Sequence, residues 1–387
     1  MRTYIDYNNS FFELFNPRNG YYYRSGVLKT KNDIPIGELT DQRNVGREKW
    51  LCRPSIVDSG KDPFMRNFPA LIDIGIMGSC KHGRTGMCNQ SQIQCYQNGA
   101  KYEMDNMSFE NFTKIIDQCR GKVFQVALGG RGDVDQHPDF EKILGYSVTN
   151  DVIPSFTTSG LGLNERHVKV CKSWGIGAVA VSDYDTSYMR RSLEMLVEAG
   201  ITTNVHYVLN NDTIQHAICN LINAQLYPSK VYPGINAIIF LLHKPVGQGT
   251  IDKVLDIDDP KVKEFFELID TQQFPFDVGF DSCSSPGIVN LTKNISSSSI
   301  DYCEAARFSC YIDAQINMMP CSFGSGNYKY YVNLDRHTIQ EAWNSEIFED
   351  FRNILRDSCP ECPHKELCGG GCPIVPDITL CDREERD

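Results

Sequence analysis

The sequence predicts an α/β fold: a partial (β/α)6 TIM-like barrel followed by a small cysteine-rich module. Two observations carry this. From residue 71, short apolar runs alternate with longer segments of helical period, the signature of βαβ units on a parallel sheet. After residue 300 the alternation gives way to closely spaced cysteines.

Six runs read as strands: "LIDIGIM" (71–77), "VFQVAL" (123–128), "VIPSFTT" (152–158), "IGAVAVS" (176–182), "ITTNVHYVL" (201–209) and "INAIIFLL" (235–242). Helical segments such as "SFENFTKIIDQC" and "SYMRRSLEMLVEAG" separate them. "KSWG" and "LVEAG" end in glycines suited to left-handed helix caps. Six strands are too few for a closed eight-fold barrel, so the barrel is expected to be open. Upstream, "FFELFNPRNGYYYRSGVL" reads as a hairpin around a Pro-Arg-Asn-Gly turn, within an N-terminal extension of residues 1–69 suited to substrate docking. The barrel is expected over 70–283, a linker including "NISSSSID" over 284–302, and the module over 303–387, with one amphipathic helix over 338–357.

The chain has 387 residues and a net charge of −11, which argues against bulk nucleic-acid binding. There is no secretory signal pattern and no apolar run of membrane-spanning length, so a cytoplasmic location is expected. Thiols stay reduced there, and sixteen cysteines then read as metal ligands or reactive groups.

"CPECPHKELCGGGC" sets Cys359, Cys362, Cys368 and Cys372 with two, five and three residues between them; Cys381 follows, and Cys303, Cys310 and Cys321 precede. Eight thiolates make two four-ligand sets, and their spacing alone suits zinc and iron–sulfur equally. Three more cysteines, Cys80, Cys88 and Cys95, follow the first strand as C-x7-C-x6-C, at the carboxyl end where barrel chemistry sits. Of the others, Cys119, Cys171 and Cys219 lie on helical segments and read as core; Cys52 is uninformative.

The C-x2-C-x5-C-x3-C core with its trailing cysteine resembles the SPASM module of radical S-adenosylmethionine (radical SAM) enzymes. The resemblance makes the second domain an iron–sulfur module. It implies one auxiliary 4Fe-4S cluster on Cys303, Cys310, Cys321 and Cys372, and another on Cys359, Cys362, Cys368 and Cys381. It departs at Ile316, where the family has glycine. The family's catalytic 4Fe-4S cluster takes three thiolates, implying Cys80, Cys88 and Cys95, although the usual spacing is C-x3-C-x2-C and Gln94 stands at the usual aromatic position. That makes three clusters, plus S-adenosylmethionine on the open iron.

Further along, "LGGRGD" resembles the Gly-Gly-Glu-Pro stretch, implying cofactor contacts from Gly129, Gly130 and Arg131, with Arg131 in place of Glu. "TTSG" supplies Thr158 and Ser159 near the ribose, "VSDYD" supplies Ser182 and Asp183, and "HKPVGQG" (243–249) approaches the adenine. Cys283 is expected as a catalytic hydrogen-atom donor or substrate contact, and Asp183 and Asp281 as proton acceptors. The function implied is maturation of a ribosomally made peptide. A 5′-deoxyadenosyl radical would take a substrate hydrogen, leading to a thioether or carbon–carbon crosslink or to epimerisation. A sulfatase-maturase-like oxidation of Cys or Ser to formylglycine is the alternative enzyme, and a zinc-binding interaction scaffold the alternative of another class. Implied partners are a peptide or protein substrate and a reductant such as flavodoxin or ferredoxin, with no nucleic acid or membrane; oligomeric state is left open.

Overall fold

The six expected strands all form in the computed structural model, which describes residues 2–6, 11–17, 22–25, 66–99, 101, 103–325, 328–357, 359, 362 and 364–381. After three N-terminal strands, β1 (Arg2–Asp6), β2 (Phe11–Phe15) and β3 (Tyr22–Ser25), the barrel strands are β4 (Leu71–Met77), β5 (Gln125–Gly130), β6 (Ile153–Thr158), β7 (Val179–Ser182), β8 (Thr203–Leu209) and β9 (Ala237–Leu242). All are parallel, each paired with the next. β10 (Asp277–Phe280) adds a seventh strand beside β9; its sequence, DVGF, is exposed or half-buried and carries no apolar run to mark it.

The C-terminal module continues this sheet. β11 (Ser309–Ile312) pairs parallel with the other edge of β4, and β12 (Asn317–Met319) and β13 (Val332–Asn333) follow antiparallel. One ten-stranded order results, β10-β9-β8-β7-β6-β5-β4-β11-β12-β13. Stretch 284–302, expected as a linker, holds a helix over Ser285–Leu291 and a 3-10 turn over Ser297–Ser299. Asp270 accepts the backbone N–H groups of Lys293, Asn294 and Ile295 there.

Helices cover the outer face of the sheet. Ile72, Ile74, Val126, Val179 and Val205 share a fully buried core with Phe112, Ile116, Ile143, Leu196 and Leu221 of those helices. Burying each such side chain contributes about 1.5–3 kcal/mol. Gly175 and Gly200 close their helices at φ 65° and 72°, as their positions suggest. The amphipathic stretch over 338–357 is two helices, Ile339–Trp343 and Glu346–Asp357. They part where the Asn344 amide turns back to donate to Gln340 O and Asn67 O. Cys119 and Cys171 are core, but Cys219 is exposed: it lies off the buried Ile214–Ile218–Leu221 stripe of its helix.

The expected hairpin is β2–β3, with β1 as a third strand. Phe15 is fully buried and stacks on Phe124, while the Arg66 guanidinium meets Glu13 at 2.9 Å and covers the Tyr4 ring. Cys52 lies outside the described residues. Among the described residues no helix is long and apolar enough to cross a membrane.

Candidate functional site

The carboxyl ends of the strands open into one cavity of about 1120 Å³, larger than a single small ligand needs. Cys80, Cys88 and Cys95 line it together with Gly129, Gly130, Arg131, Ser159, Ser182 and Cys283. The module contributes Cys303, Cys310, Cys321 and Cys372 to the same wall.

The long cysteine loop is pinned by the barrel rim. Ser91 Oγ donates to Tyr184 O at 2.8 Å, and the Asn210 amide to Gln92 O at 3.0 Å. Gln248 N donates to Cys95 O at 2.9 Å. Gln94, the residue in place of the aromatic, accepts from Thr250 N at 2.9 Å. A side chain on Gly247 would collide with Tyr96 O at 2.2 Å, so glycine there, at φ 66°, lets "HKPVGQG" close on the loop. Tyr96 in turn meets Phe323 of the module, ring centroids 4.7 Å apart. Seven and six intervening residues thus become a held loop.

Its donor chemistry fits a cluster. Burial first, then the charges of Asp133 and Cys95, raises the Cys80 thiol against backbone hydrogen bonds from Gly83 and His82; burial and the charges of Cys95, Cys80 and Asp133 push Cys88 up to about 11. Three thiolates this close repel one another unless a positive centre lies among them. In the module, burial and the charges of Cys362, Cys359 and Cys381 raise Cys368 to about 11. Among the described residues no three such side chains converge tightly enough for a single metal ion.

Two expected site residues face elsewhere. On β6 the period of two sends Thr157 into the cavity and Thr158 outward, where its hydroxyl donates to Asp135 at 2.6 Å. Asp183 lies off the cavity lining: it accepts from the Tyr232 hydroxyl and, at 2.8 Å, from Asp185 N, so it ties loops together. Ser159 is held on the rim by its N–H and hydroxyl, both donating to Asp133. Arg131 donates to Gln97 O at 3.1 Å and to Met104 Sδ at 2.8 Å, bracing the cysteine loop.

The barrel interior holds polar groups that no motif marked. Asp73 projects from β4, and burial, then the charge of Glu304, raises its carboxyl to about 7. His206 lines the cavity from β8, and burial lowers it to about 4, so it is neutral at physiological pH. Lys244 is buried against Asp281, which also accepts from Ser284 Oγ at 2.7 Å. The signal available in the sequence was polarity inside strands: Asp73 interrupts "LIDIGIM" and His206 interrupts "TNVHYVL".

Residues 303–364 match SPASM, an iron-sulfur cluster-binding domain. No curated protein matches the sequence. Among solved structures, Streptococcus suis SuiB bound to S-adenosylmethionine aligns over 97% of this chain and 97% of its own, at 14% identity and TM-score 0.66. SuiB bound to precursor peptide SuiA aligns over 99% and 100%, at 14% identity and TM-score 0.64. The structure of anSMEcpe with bound AdoMet and Cp18Cys peptide aligns over 80% and 90%, at 16% identity and TM-score 0.56. These likenesses show the fold, a partial barrel of parallel strands shared with the solved structures, and the family match makes residues 303–364 a SPASM iron–sulfur cluster-binding domain.

Proposed function

We propose that the protein is a radical SAM maturase of a ribosomally made peptide, forming a thioether or carbon–carbon crosslink or inverting an α-carbon. One observation carries the reading: a single cavity joins the three-cysteine loop, the Gly129–Gly130 rim and the thiols of the module. Cys80, Cys88 and Cys95 would hold the catalytic cluster; Gly129, Gly130, Ser159 and Ser182 would face S-adenosylmethionine. When bound, that pair supplies a carbon-centred radical able to take hydrogen from an unactivated carbon. The chain's own residues do the rest. The barrel wall excludes water and fixes which substrate hydrogen comes within reach. Asp73, near neutrality at physiological pH, accepts or returns a proton inside the cavity.

The peptide reading is supported by SuiB bound to precursor peptide SuiA and by the peptide-bound anSMEcpe. The N-terminal sheet β1–β3, docked on the barrel through Phe15 and Arg66, is the proposed surface for the substrate. Electrons would come from a flavodoxin or ferredoxin in a reducing cytosol. A second reading follows the anSMEcpe likeness: oxidation of one Cys or Ser to formylglycine. Anaerobic reconstitution, followed by assay of 5′-deoxyadenosine with a strong reductant, tests the class. Mass spectrometry of a treated peptide separates a crosslink, which loses hydrogens, from an aldehyde, which reacts with hydrazide. Colourless, zinc-loaded protein without cofactor cleavage would leave only the binding scaffold.

A further inference from the structure

The resemblance places Cys310 with Cys303, Cys321 and Cys372 in one auxiliary cluster, but the register of β11 separates them. Paired residues of parallel strands share a face. β11 pairs Cys310 with Ile72 and Tyr311 with Asp73. Tyr311 is on the inner face, for its hydroxyl lies where a side chain on Gly75 would project, 2.1 Å from the position of that Cβ. Ile72 is fully buried on the opposite face, in the core shared with the helices. Cys310 therefore points with Ile72 into the helix layer, with Asp73 of the paired strand and then Cys119 of the covering helix as its electrostatic neighbours. Cys310 does border the cavity, as Ile74 of the same outer face does, while its side chain belongs to the helix-side core.

A different thiol stands where the fourth donor is missing. Cys283 follows β10 in the turn Ser282–Ser284 and lines the cavity beside Cys303, Cys321 and Cys372. It packs against the small apolar cluster of Cys372, Val375 and Ile378. Its thiol lies beside the Cys372 thiol, and Cys303 and Cys321 both lie within range of its charge. The Lys244 ammonium, buried against Asp281, sits next to Cys283 and Cys321. Three thiols of the module and one of the barrel thus face one another, with a fixed cation alongside.

We propose that Cys283, Cys303, Cys321 and Cys372 are the four ligands of the auxiliary cluster nearest the barrel, and that Cys310 is a core residue. This rests on the iron–sulfur reading of the module given above. Cys283 is then neither a hydrogen-atom donor nor a substrate contact but a ligand that ties the last barrel strand to the module. The helix Ser285–Leu291 and the turn after it become a loop closed by one cluster.

The test uses full-length protein with Cys80, Cys88 and Cys95 changed to Ala, so that only the auxiliary sites bind iron. This parent is reconstituted anaerobically with iron and sulfide, alongside Cys283→Ala and Cys310→Ala in the same background. Iron and sulfide content and the EPR spectrum of the reduced protein are the readouts. Cys283→Ala is expected to lose about half of the parent's iron and sulfide, or to keep the iron with one EPR signal shifted. Cys310→Ala is expected to match the parent in both. Cys310→Val, which keeps the buried volume, replaces it if circular dichroism shows that the Ala variant is unfolded. Loss in the Cys310 variant, or parent-like content and spectrum in Cys283→Ala, overturns the assignment. A parent without any iron–sulfur absorption overturns the functional reading itself, a result distinct from both.

Discussion

The two faces of the central sheet share strands and differ in chemistry. The outer face is mostly apolar: Ile72, Ile74 and Val126 pack on helices, and the cysteines found there, Cys119 and Cys171, are packing residues. The inner face carries Asp73, Thr157, His206 and Tyr311 around a cavity. A thiol is a small hydrophobe on one side and, in the proposed function, a ligand on the other. Residue type alone does not decide between them; one step along a strand does.

The comparison breaks most decisively at the cysteine loop. Replacing Cys80, Cys88 and Cys95 by Ala should lower S-adenosylmethionine cleavage by about three orders of magnitude or more, on the order of 4 kcal/mol of barrier. Removing the Cys119 thiol by the same substitution should leave cleavage and iron content intact and cost about 1–3 kcal/mol in a denaturant titration. Equal loss of cleavage from both would erase the distinction between faces.

A second test concerns the cation inside. Lys244→Met leaves Asp281 without its partner, and the unpaired charge should cost about 3–5 kcal/mol of unfolding free energy. Adding Asp281→Leu should recover much of that loss, because replacing both members of a buried pair is often close to neutral. A double variant as unstable as the single would show that the pair is not what Lys244 contributes.

Asp73 sharpens the comparison through pH. Its carboxyl sits near 7 when folded and near the ordinary aspartate value of 3.8 when unfolded. Between those values the native state holds a proton that the unfolded chain has lost, so stability falls as pH rises. The fall should total about 2–4 kcal/mol, finish near pH 7, and vanish in Asp73→Asn. Parallel stability curves for the two proteins would place Asp73 in water.

The smallest effect lies at the β11–β12 turn. Ile316, at the family's glycine position, adopts φ 55° and is buried. Left-handed backbone costs a non-glycine residue about 1–2 kcal/mol, yet an Ile side chain in a core is worth about 2–5 kcal/mol. Ile316→Gly should therefore destabilise by about 1–2 kcal/mol; a gain in stability would mean that strain outweighs packing there.

The choice of Cys381 over the nearer Cys372 as partner of Cys359, Cys362 and Cys368 came only from the resemblance, whereas most strands, the helix caps at Gly175 and Gly200, and the crowding of thiols after residue 300 were legible in the sequence. Each rests on local spacing: apolar runs between turn residues, glycine after a helical stripe, thiols a few residues apart. The spacing also marked Cys80, Cys88 and Cys95, because the loop that carries them directly follows a strand.

What local spacing leaves undecided is direction and neighbourhood. "SCYI" is buried on both faces, so it has no polar alternation to say which way Cys310 points. "TTSG" offers two adjacent threonines, and only the register of β6 turns Thr157 inward. Asp183 looked reactive at a strand end until Tyr232, 49 residues away, occupied its carboxylate. The sequence by itself determined the order of strands and the stock of thiols, since both depend on near neighbours in the chain. Tertiary structure decided which thiols share a cavity, because pairing β11 with β4 and β10 with β9 brings distant segments together and fixes the face each residue shows.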